Sequence, residues 1–596
     1  MKLRLWFSCT LICSLALVAS QCKSGSVSTT AASEIPRLRK HGTATQMIVD
    51  GKPLLILAGE LNNNGATSVA YMKPKWSRLV ESKLNTVLAG VSWAQIEPQE
   101  GKLDFSVPDG IIRDARSHNL HLVLLWFATW KNGSSSYPPD WVKKDFERFP
   151  RAQIAGGTDC PSSQSACRQP GAQTAQGRGI ELLSPLGEAT RDADARAFAA
   201  LMRHVREIDG REHTVIMIQV ENEVGMAMDS RDRSPAANRA YEGPVPKELM
   251  DYLQTHKDTL IPDLHQVWEA AGFKTSGTWQ EVFGRSTATD DIFMAWNYAR
   301  YVGRVVDAGK AEYPIPMYMN TWLVGFTDPV RASGSPKPAL MDVWRAGAPR
   351  IDIYGVDCSG NFAMFCAKYT QSGNPLFIPE TGGGVEGAAR AFYAFGHHDA
   401  VGFSRMSGGI ERPTTLDNEL IGSYDLITQL APLIVEHEGD GTMSGVLLGP
   451  DDPPQKVQVG NYTLEASYFN PMRPRPGQPQ LHPPEIPSLA GAIFIATGPD
   501  EFFAAGNGVI VKFSPNTPGP PFAAPATVEE GAFVNGRWVP QRRLAGDDSL
   551  CSMDSTAPGL EGECVALRWP PGSVVGAYNA RAAGEGIQRF TLYRYR

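Results

Sequence analysis

The sequence predicts an α/β protein in which a parallel (β/α)8 barrel is followed by an antiparallel β-sandwich. Three observations carry this. From about residue 50, short apolar runs alternate with longer amphipathic ones, the pattern of parallel strands joined by crossover helices. Eight such strand and helix units follow in order up to about residue 437, a span that suits a barrel with insertions. After Gly439 the texture changes to short alternating runs, Val457-Gln458-Val459 and Val509-Ile510-Val511-Lys512, punctuated by a Pro-rich stretch from Pro515 to Pro525, which reads as all-β.

Taken from the amino terminus, Lys2 and Arg4, the apolar run Leu11 to Val18 and the small residues Ala19 and Ser20 have the layout of an export signal over residues 1–20. The barrel is expected over 36–437 and the β module over 440–596. The eight strands are placed at Leu54 to Leu61, Thr86 to Trp93, Leu120 to Phe127, Val215 to Asn222, Pro316 to Trp322, Ile351 to Val356, Leu376 to Glu380 and Ala400 to Arg405. Helices are expected at Pro74 to Leu84, Ala193 to Ile208, Lys247 to Ala271, Ile292 to Ala311 and Glu386 to Phe395. Ser134 to Pro185, rich in Gly, Pro, Ser and Gln, reads as a long loop, and loops of that length tend either to build a site or to lack order.

Composition narrows the function. Hydrophobic residues make up 42% and charged residues 20% of 596 residues, an ordinary globular balance that excludes disorder and collagen-like structure. The net charge of −7, without long runs of one sign, offers no footprint for nucleic acid or an anionic membrane. No stretch beyond the signal has the length of a membrane span. The expected address is therefore periplasmic or secreted. An outer-membrane lipoprotein acylated at Cys22 ranks second, because Gln21 stands where a small residue normally precedes the lipidated cysteine. Of the remaining cysteines, Cys160 with Cys167, Cys358 with Cys366 and Cys551 with Cys564 fall into close pairs, which suggests three short-loop disulfides in an oxidising compartment. Zinc is the other use of paired cysteines, but the two-residue spacing and nearby histidines of such sites are missing here.

Barrel enzymes present their catalytic groups at the carboxyl ends of the strands. Strand 4 runs Val215-Ile216-Met217-Ile218-Gln219-Val220 and turns abruptly into Glu221-Asn222-Glu223; strand 7 runs Leu376-Phe377-Ile378-Pro379 and ends at Glu380. These strands lie on opposite sides of an eight-stranded barrel, so the two glutamates can face each other across its mouth. Two carboxyls about 5 Å apart are what retaining glycoside hydrolysis needs, provided their environments keep one ionised and the other protonated. Glu380 is the expected nucleophile and Glu223 the acid/base, with Asn222 placed to hydrogen-bond a sugar 2-hydroxyl. Glu60 and Asp357 end strands 1 and 6 and are candidates for binding hydroxyls. Trp93, Trp126, Trp130 and Trp322 could stack on sugar rings; each also reads as core, and Trp93 and Trp322 are preferred as platforms because they sit at strand ends. Gly396-His397-His398-Asp399 reads as a turn on the amino-terminal side. With no His-Glu-x-x-His helix, phosphate loop or Gly-x-Ser-x-Gly elbow in the sequence, no cofactor or metal is expected.

Glu221-Asn222-Glu223-Val224-Gly225 after Ile218-Gln219-Val220 resembles the acid/base signature of glycoside hydrolase family 35, the β-galactosidases of the clan A barrels. Gly59-Glu60, Trp93-Ala94-Gln95-Ile96-Glu97-Pro98 and Gly402-Phe403-Ser404 are similar as well, and the resemblance spans most of residues 45–437. It implies hydrolysis of terminal galactose with retention. The nearer likeness is to a bacterial branch with a C-terminal β module, some of whose members remove galactose from xyloglucan side chains. Two departures bear on the sugar: the family's Tyr-Val-Pro-Trp is here Gly90-Val91-Ser92-Trp93, and its Ala-Glu-Trp is Trp130-Lys131-Asn132. The lost contacts must be remade, with Asn132 the candidate. The expected protein is an exported retaining exo-β-galactosidase of plant cell-wall oligosaccharides. Alternatives are another clan A β-glycosidase, a β-glucosidase or β-mannosidase, or a silent carbohydrate-binding barrel. A homodimer is left open.

Overall fold

The computed structural model describes residues 34–155, 173–174, 177–227, 229–321, 332–358, 360–406, 418–469, 487–544, 564–567 and 586–596. The eight barrel strands are β1 (Ile56–Glu60), β2 (Thr86–Ser92), β3 (His121–Lys131), β4 (Val215–Asn222), β5 (Met317–Thr321), β6 (Ile353–Val356), β7 (Phe377–Thr381) and β8 (Gly402–Arg405). They pair in parallel in the order β6-β5-β4-β3-β2-β1-β8-β7. The remaining seam, between β6 and β7, is bridged at the mouth: the Cys358 N–H donates to the Glu380 carbonyl at 3.1 Å, and the Thr381 hydroxyl to the Cys358 carbonyl at 2.6 Å.

Alternate side chains of these strands fill the barrel. Ile56, Ala58, Leu88, Val123, Leu125, Phe127, Ile216, Tyr318, Ile353 and Phe377 form one buried cluster that also takes in Met47 and Val49. Those two come from a three-stranded antiparallel sheet (Arg37–His41, Ala44–Val49, Lys52–Leu54) that precedes β1, so it plugs the amino-terminal end and leaves the carboxyl end as the open one. The principal outer helices are α1 (Glu188–Asp209), α2 (Thr287–Glu312), α3 (Gly384–His398) and α4 (Asn418–His437).

Several elements differ from expectation for local reasons. The helix expected over Lys247 to Ala271 is two, Lys247–Thr255 and Pro262–Ala270, because Pro262 lacks the N–H that would continue a helix and suits the first position of a new one. The helix expected over Pro74 to Leu84 is the shorter Trp76–Glu81, with a separate turn of helix, Val69–Met72, before it. The stretch read as a loop from Ser134 holds a short helix, Asp140–Lys144, and antiparallel strands Arg151–Ile154 and Gly177–Leu183. His397 and His398 form the last turn of α3 rather than a turn outside it, and Asp399 ends that helix in the left-handed conformation. Cys358 and Cys366 are not linked; they are buried free thiols in hydrogen-bonding contact. Cys564 is disulfide-bonded. Residues 1–20, Cys22, Cys160, Cys167, Cys551 and Trp322 lie outside the described residues. Among the described residues no helix is long and apolar enough to cross a membrane.

Past α4 come β9 (Met443–Leu448), β10 (Gln455–Val459), β11 (Tyr462–Tyr468), β12 (Ala490–Ala496), β13 (Glu501–Asn507), β14 (Val509–Pro515), β15 (Phe522–Val534), β16 (Arg537–Leu544), β17 (Val565–Leu567) and β18 (Ile587–Tyr595). They make two antiparallel sheets, β9-β12-β13-β18-β15-β16 and β10-β11-β14-β17. Val446, Leu448, Leu464, Phe494, Phe502, Val511 and Phe590 share the core between the sheets, the sandwich arrangement. The larger sheet also buries its other face, through Leu447, Ile493, Ile495 and Phe503, in the apolar layer that packs the outer helices, among them Phe392 and Phe395 of α3 and Ile427 and Leu430 of α4. That explains why β9 and β12 are buried throughout. Gly491 permits the contact: a Cβ there would stand 2.4 Å from the Ala389 carbonyl oxygen of α3.

Candidate active site

The mouth is built where the regular strands end. After a shift between Val215 and Met217, β3 and β4 keep one register from Met217 opposite Val123 to Val220 opposite Trp126, and then Asn222 pairs with Lys131. Four residues of β3, Phe127 to Trp130, therefore lie opposite the single residue Glu221, a bulge that re-aims the chain. Glu221 and Glu223 take positive φ, 61° and 46°, each costing about 1–2 kcal/mol for a side chain with a Cβ. The return is that a run of inward-facing apolar residues ends in polar groups directed at the opening.

Asn320, on β5, is the hub. Its Nδ2 lies 3.0 Å from Asp357 Oδ2, 3.1 Å from Glu380 Oε1 and 3.2 Å from Asn222 Oδ1. Two hydrogens thus serve three acceptors from β4, β7 and the end of β6. Asn222 Oδ1 also accepts from Gln219 Nε2 at 2.9 Å, and Gln219 Oε1 takes the Tyr318 hydroxyl at 2.6 Å. Asn222 Nδ2 donates to Asn132 Oδ1 at 3.1 Å, which leaves one of its hydrogens for another acceptor. Asn132 is held there by a tight turn: Lys131 and Ser134 exchange backbone hydrogen bonds of 2.9 and 3.0 Å, with Asn132 and Gly133 at φ 50° and 66°, the primed turn that Asn-Gly favours.

The electrostatics follow from crowding carboxyls in a buried place. Burial first, then the charge of Glu380, pushes Glu60 well above the usual carboxylate range, while the Lys131 ammonium pulls it down. Asp357 is raised well up by burial, then by Glu380, Glu223 and Glu60. Both therefore favour the neutral acid, which can donate a hydrogen bond, and Glu60 hydrogen-bonds Glu380. Glu60, Glu223, Glu380 and Asp357 thus form one interacting group. Glu60 Oε2, Asp357 Oδ1 and Asn320 Oδ1 are buried without a hydrogen-bond partner. Buried polar atoms rarely go unsatisfied, and hydroxyls of a ligand would complete these three.

The structure brings Glu60, Asn132, Asn222, Glu223, Asp357 and Glu380 together. It does not bring Trp93, which is fully buried with its indole N–H on Glu97 at 2.9 Å and its ring edge-on to Trp141. Trp126 and Trp130 are core as well, their indoles bound to Asp194 and to the Leu183 carbonyl. The strand-end criterion failed for Trp93 because the residue after β2 starts a short helix and turns inward. Sequence reasoning missed Asn320, whose signal was an amide closing the apolar run Met317-Tyr318-Met319, and Lys131, buried with its ammonium 4.2 Å above the Phe127 ring. The Gly90 departure is part of the same remodelling. A Cβ at Gly90 would stand 2.7 Å from the Phe127 ring, so Phe127 takes the space that a larger residue on β2 would fill. No group of metal-ligating side chains occurs among the described residues.

Comparison with known proteins finds a β-galactosidase family model, Glyco_hydro_42, matching residues 68–167, and a domain of unknown function, DUF5597, matching residues 420–552. A β-galactosidase of Xanthomonas manihotis is 26% identical over 192 residues, 31% of this chain and 26% of the relative; the match spans about a quarter of that relative's length. Among solved structures, the β-galactosidase of Bacillus circulans sp. alkalophilus aligns with a TM-score of 0.43 at 16% identity, over 64% of this chain and 57% of the other. The catalytic domain of Paenibacillus polymyxa β-amylase aligns at 0.42 and 12%, over 62% and 97%. Residues 68–167 are thus similar to a β-galactosidase family. The matching model is that of family 42, whereas the motifs resemble family 35.

Proposed function

We propose that the protein is a retaining exo-β-galactosidase, allied to family 35, that releases terminal galactose from plant cell-wall oligosaccharides, with xyloglucan side chains as the substrate class. The observation that carries this reading is the hydrogen-bond fan of Asn320, which ties Glu380 to Asn222 and Asp357 beside Glu223 and leaves buried polar atoms that sugar hydroxyls would satisfy. In the first step a Glu380 carboxylate oxygen attacks the anomeric carbon, the glycosidic C–O bond breaks, and Glu223 gives its proton to the departing oxygen. In the second, Glu223 takes a proton from water as that water attacks the same carbon, and the ester to Glu380 breaks. Two inversions give net retention. Asn222 Nδ2 reaches the 2-hydroxyl; Glu60, Asp357 and Asn132 take the other hydroxyls. Export to the periplasm or medium suits a polymer-derived substrate.

The altered residues at the mouth, Gly90 and Lys131, favour one further reading, a clan A β-glycosidase of different sugar preference. Chromatography of the sugars released from galactosylated xyloglucan oligosaccharides, lactose and an aryl β-galactoside separates the two. Free galactose from the oligosaccharides is expected; release of glucose or mannose from other β-glycosides, with none of galactose, would favour the second.

A further inference from the structure

Glu221 plays no part in the reaction just described, yet it is completely buried two residues from the acid/base. Its Oε1 accepts the Thr129 N–H at 3.0 Å and its Oε2 the Trp130 N–H at 2.7 Å. Those amides belong to the β3 bulge, where the register jump removes the regular ladder between β3 and β4. Behind Glu221 lies Asp194 of α1, which accepts from Trp126 Nε1, from the Thr129 hydroxyl and, at 3.3 Å, from the Tyr301 hydroxyl of α2. A side chain therefore replaces the missing ladder bonds at a point where the backbone takes positive φ at both Glu221 and Glu223. Asn222, between them, is held separately by Gln219, Asn320 and Asn132. Glu380 hangs from β7 by its own bonds to Asn320 and Cys358.

We propose that Glu221 is a positioning residue for the acid/base: its two-pronged grip on the bulge amides sets the backbone from which Glu223 reaches the leaving-group oxygen, and it leaves the nucleophile untouched. This rests on the reading of Glu223 as acid/base. A carboxyl group is required because both backbone partners are donors. Burial first, then the charge of Asp194 and a hydrogen bond to it, raise Glu221 well above the usual carboxylate range. It therefore favours the neutral acid, whose hydroxyl turns to Asp194 while both oxygens still accept the amides, whereas a glutamine would set a donor against one of those N–H groups.

The test compares the full-length protein with Glu221→Gln, Glu221→Asp and Glu223→Ala on a dinitrophenyl and an unactivated alkyl β-galactoside, with and without azide. Glu221→Gln should lower kcat on the alkyl glycoside by about 100-fold, the size of a general-acid contribution, with KM nearly constant and a much smaller loss on the dinitrophenyl substrate. Azide should speed the latter by attacking the anomeric carbon of the Glu380 ester, releasing the carboxylate and forming the β-glycosyl azide. Should Glu221→Gln fail to fold, Glu221→Asp, which keeps one amide bond, should show the same split with a smaller loss. Equal losses on both substrates without azide response, or no loss, would overturn the proposal. A Glu223→Ala enzyme with no leaving-group split would instead overturn the assignment of Glu223.

Discussion

Glu438, which follows α4, links folding to protonation. Its carboxyl is 2% exposed and accepts the Gln46 amide at 3.0 Å. Burial, reinforced by the nearby Asp399 and opposed by the Gln46 hydrogen bond, pushes it up to about 8, against roughly 4.3 in an unfolded chain. Between those values the folded protein keeps a proton that the unfolded chain has released. Stability is therefore fully present below the lower value and is lost as pH rises toward the upper one. Within that window each pH unit favours unfolding by a factor of about ten, a few kcal/mol over the whole span. Glu438→Gln installs a neutral group of the same shape that still accepts from Gln46 and cannot ionise. Near pH 5 the two proteins should unfold at nearly the same urea concentration. Toward pH 8 the variant should be the more stable, by a gap that widens steadily with pH. Asp399, raised to about 6 mainly by burial, is common to both proteins and largely drops out of the comparison. Midpoints that run parallel across this range would refute the linkage.

Glu380→Ala should abolish turnover while leaving the thermal melt unchanged, and azide should restore cleavage of an activated aryl galactoside by taking the nucleophile's place; a fully active variant would remove Glu380 from the reaction. Glu223→Ala should lose about 100-fold or more on poor leaving groups and much less on good ones, as read from kcat/KM across a series of aryl galactosides. Gly90→Ala, whose Cβ would stand 2.7 Å from the Phe127 ring and 2.8 Å from the Asn63 carbonyl oxygen, should cost about 1–3 kcal/mol by overpacking. It should also raise KM by shifting Phe127 and the Lys131 ammonium above it; calorimetry and kinetics report the two effects separately.

Much of this protein was legible in one dimension. Strand periodicity is local, since a strand buried on both faces must be apolar throughout; hence Val215 to Asn222 was placed from sequence, and Thr86 to Trp93 with an end one residue beyond the observed Ser92. The same logic exposed Glu223 and Glu380, because a carboxylate that closes an apolar run stands at the end of a barrel strand, where sites form. What tertiary structure decided was every property that depends on a neighbour distant in the chain. Trp93 met the strand-end criterion but is enclosed by Trp141 and Glu97. Cys358 and Cys366, paired by spacing, are free thiols in contact. The hub at Asn320 joins residues from three other strand ends, with separations of 37 to 98 positions, and no pattern at such distances is visible in a single sequence. Glu221, two positions from Glu223 in sequence, acquires its grip only because β3 bulges opposite it. Local apolar patterning determined which segments become strands and where their polar ends lie; burial and the register between strands decided which of those ends meet and what charge they carry.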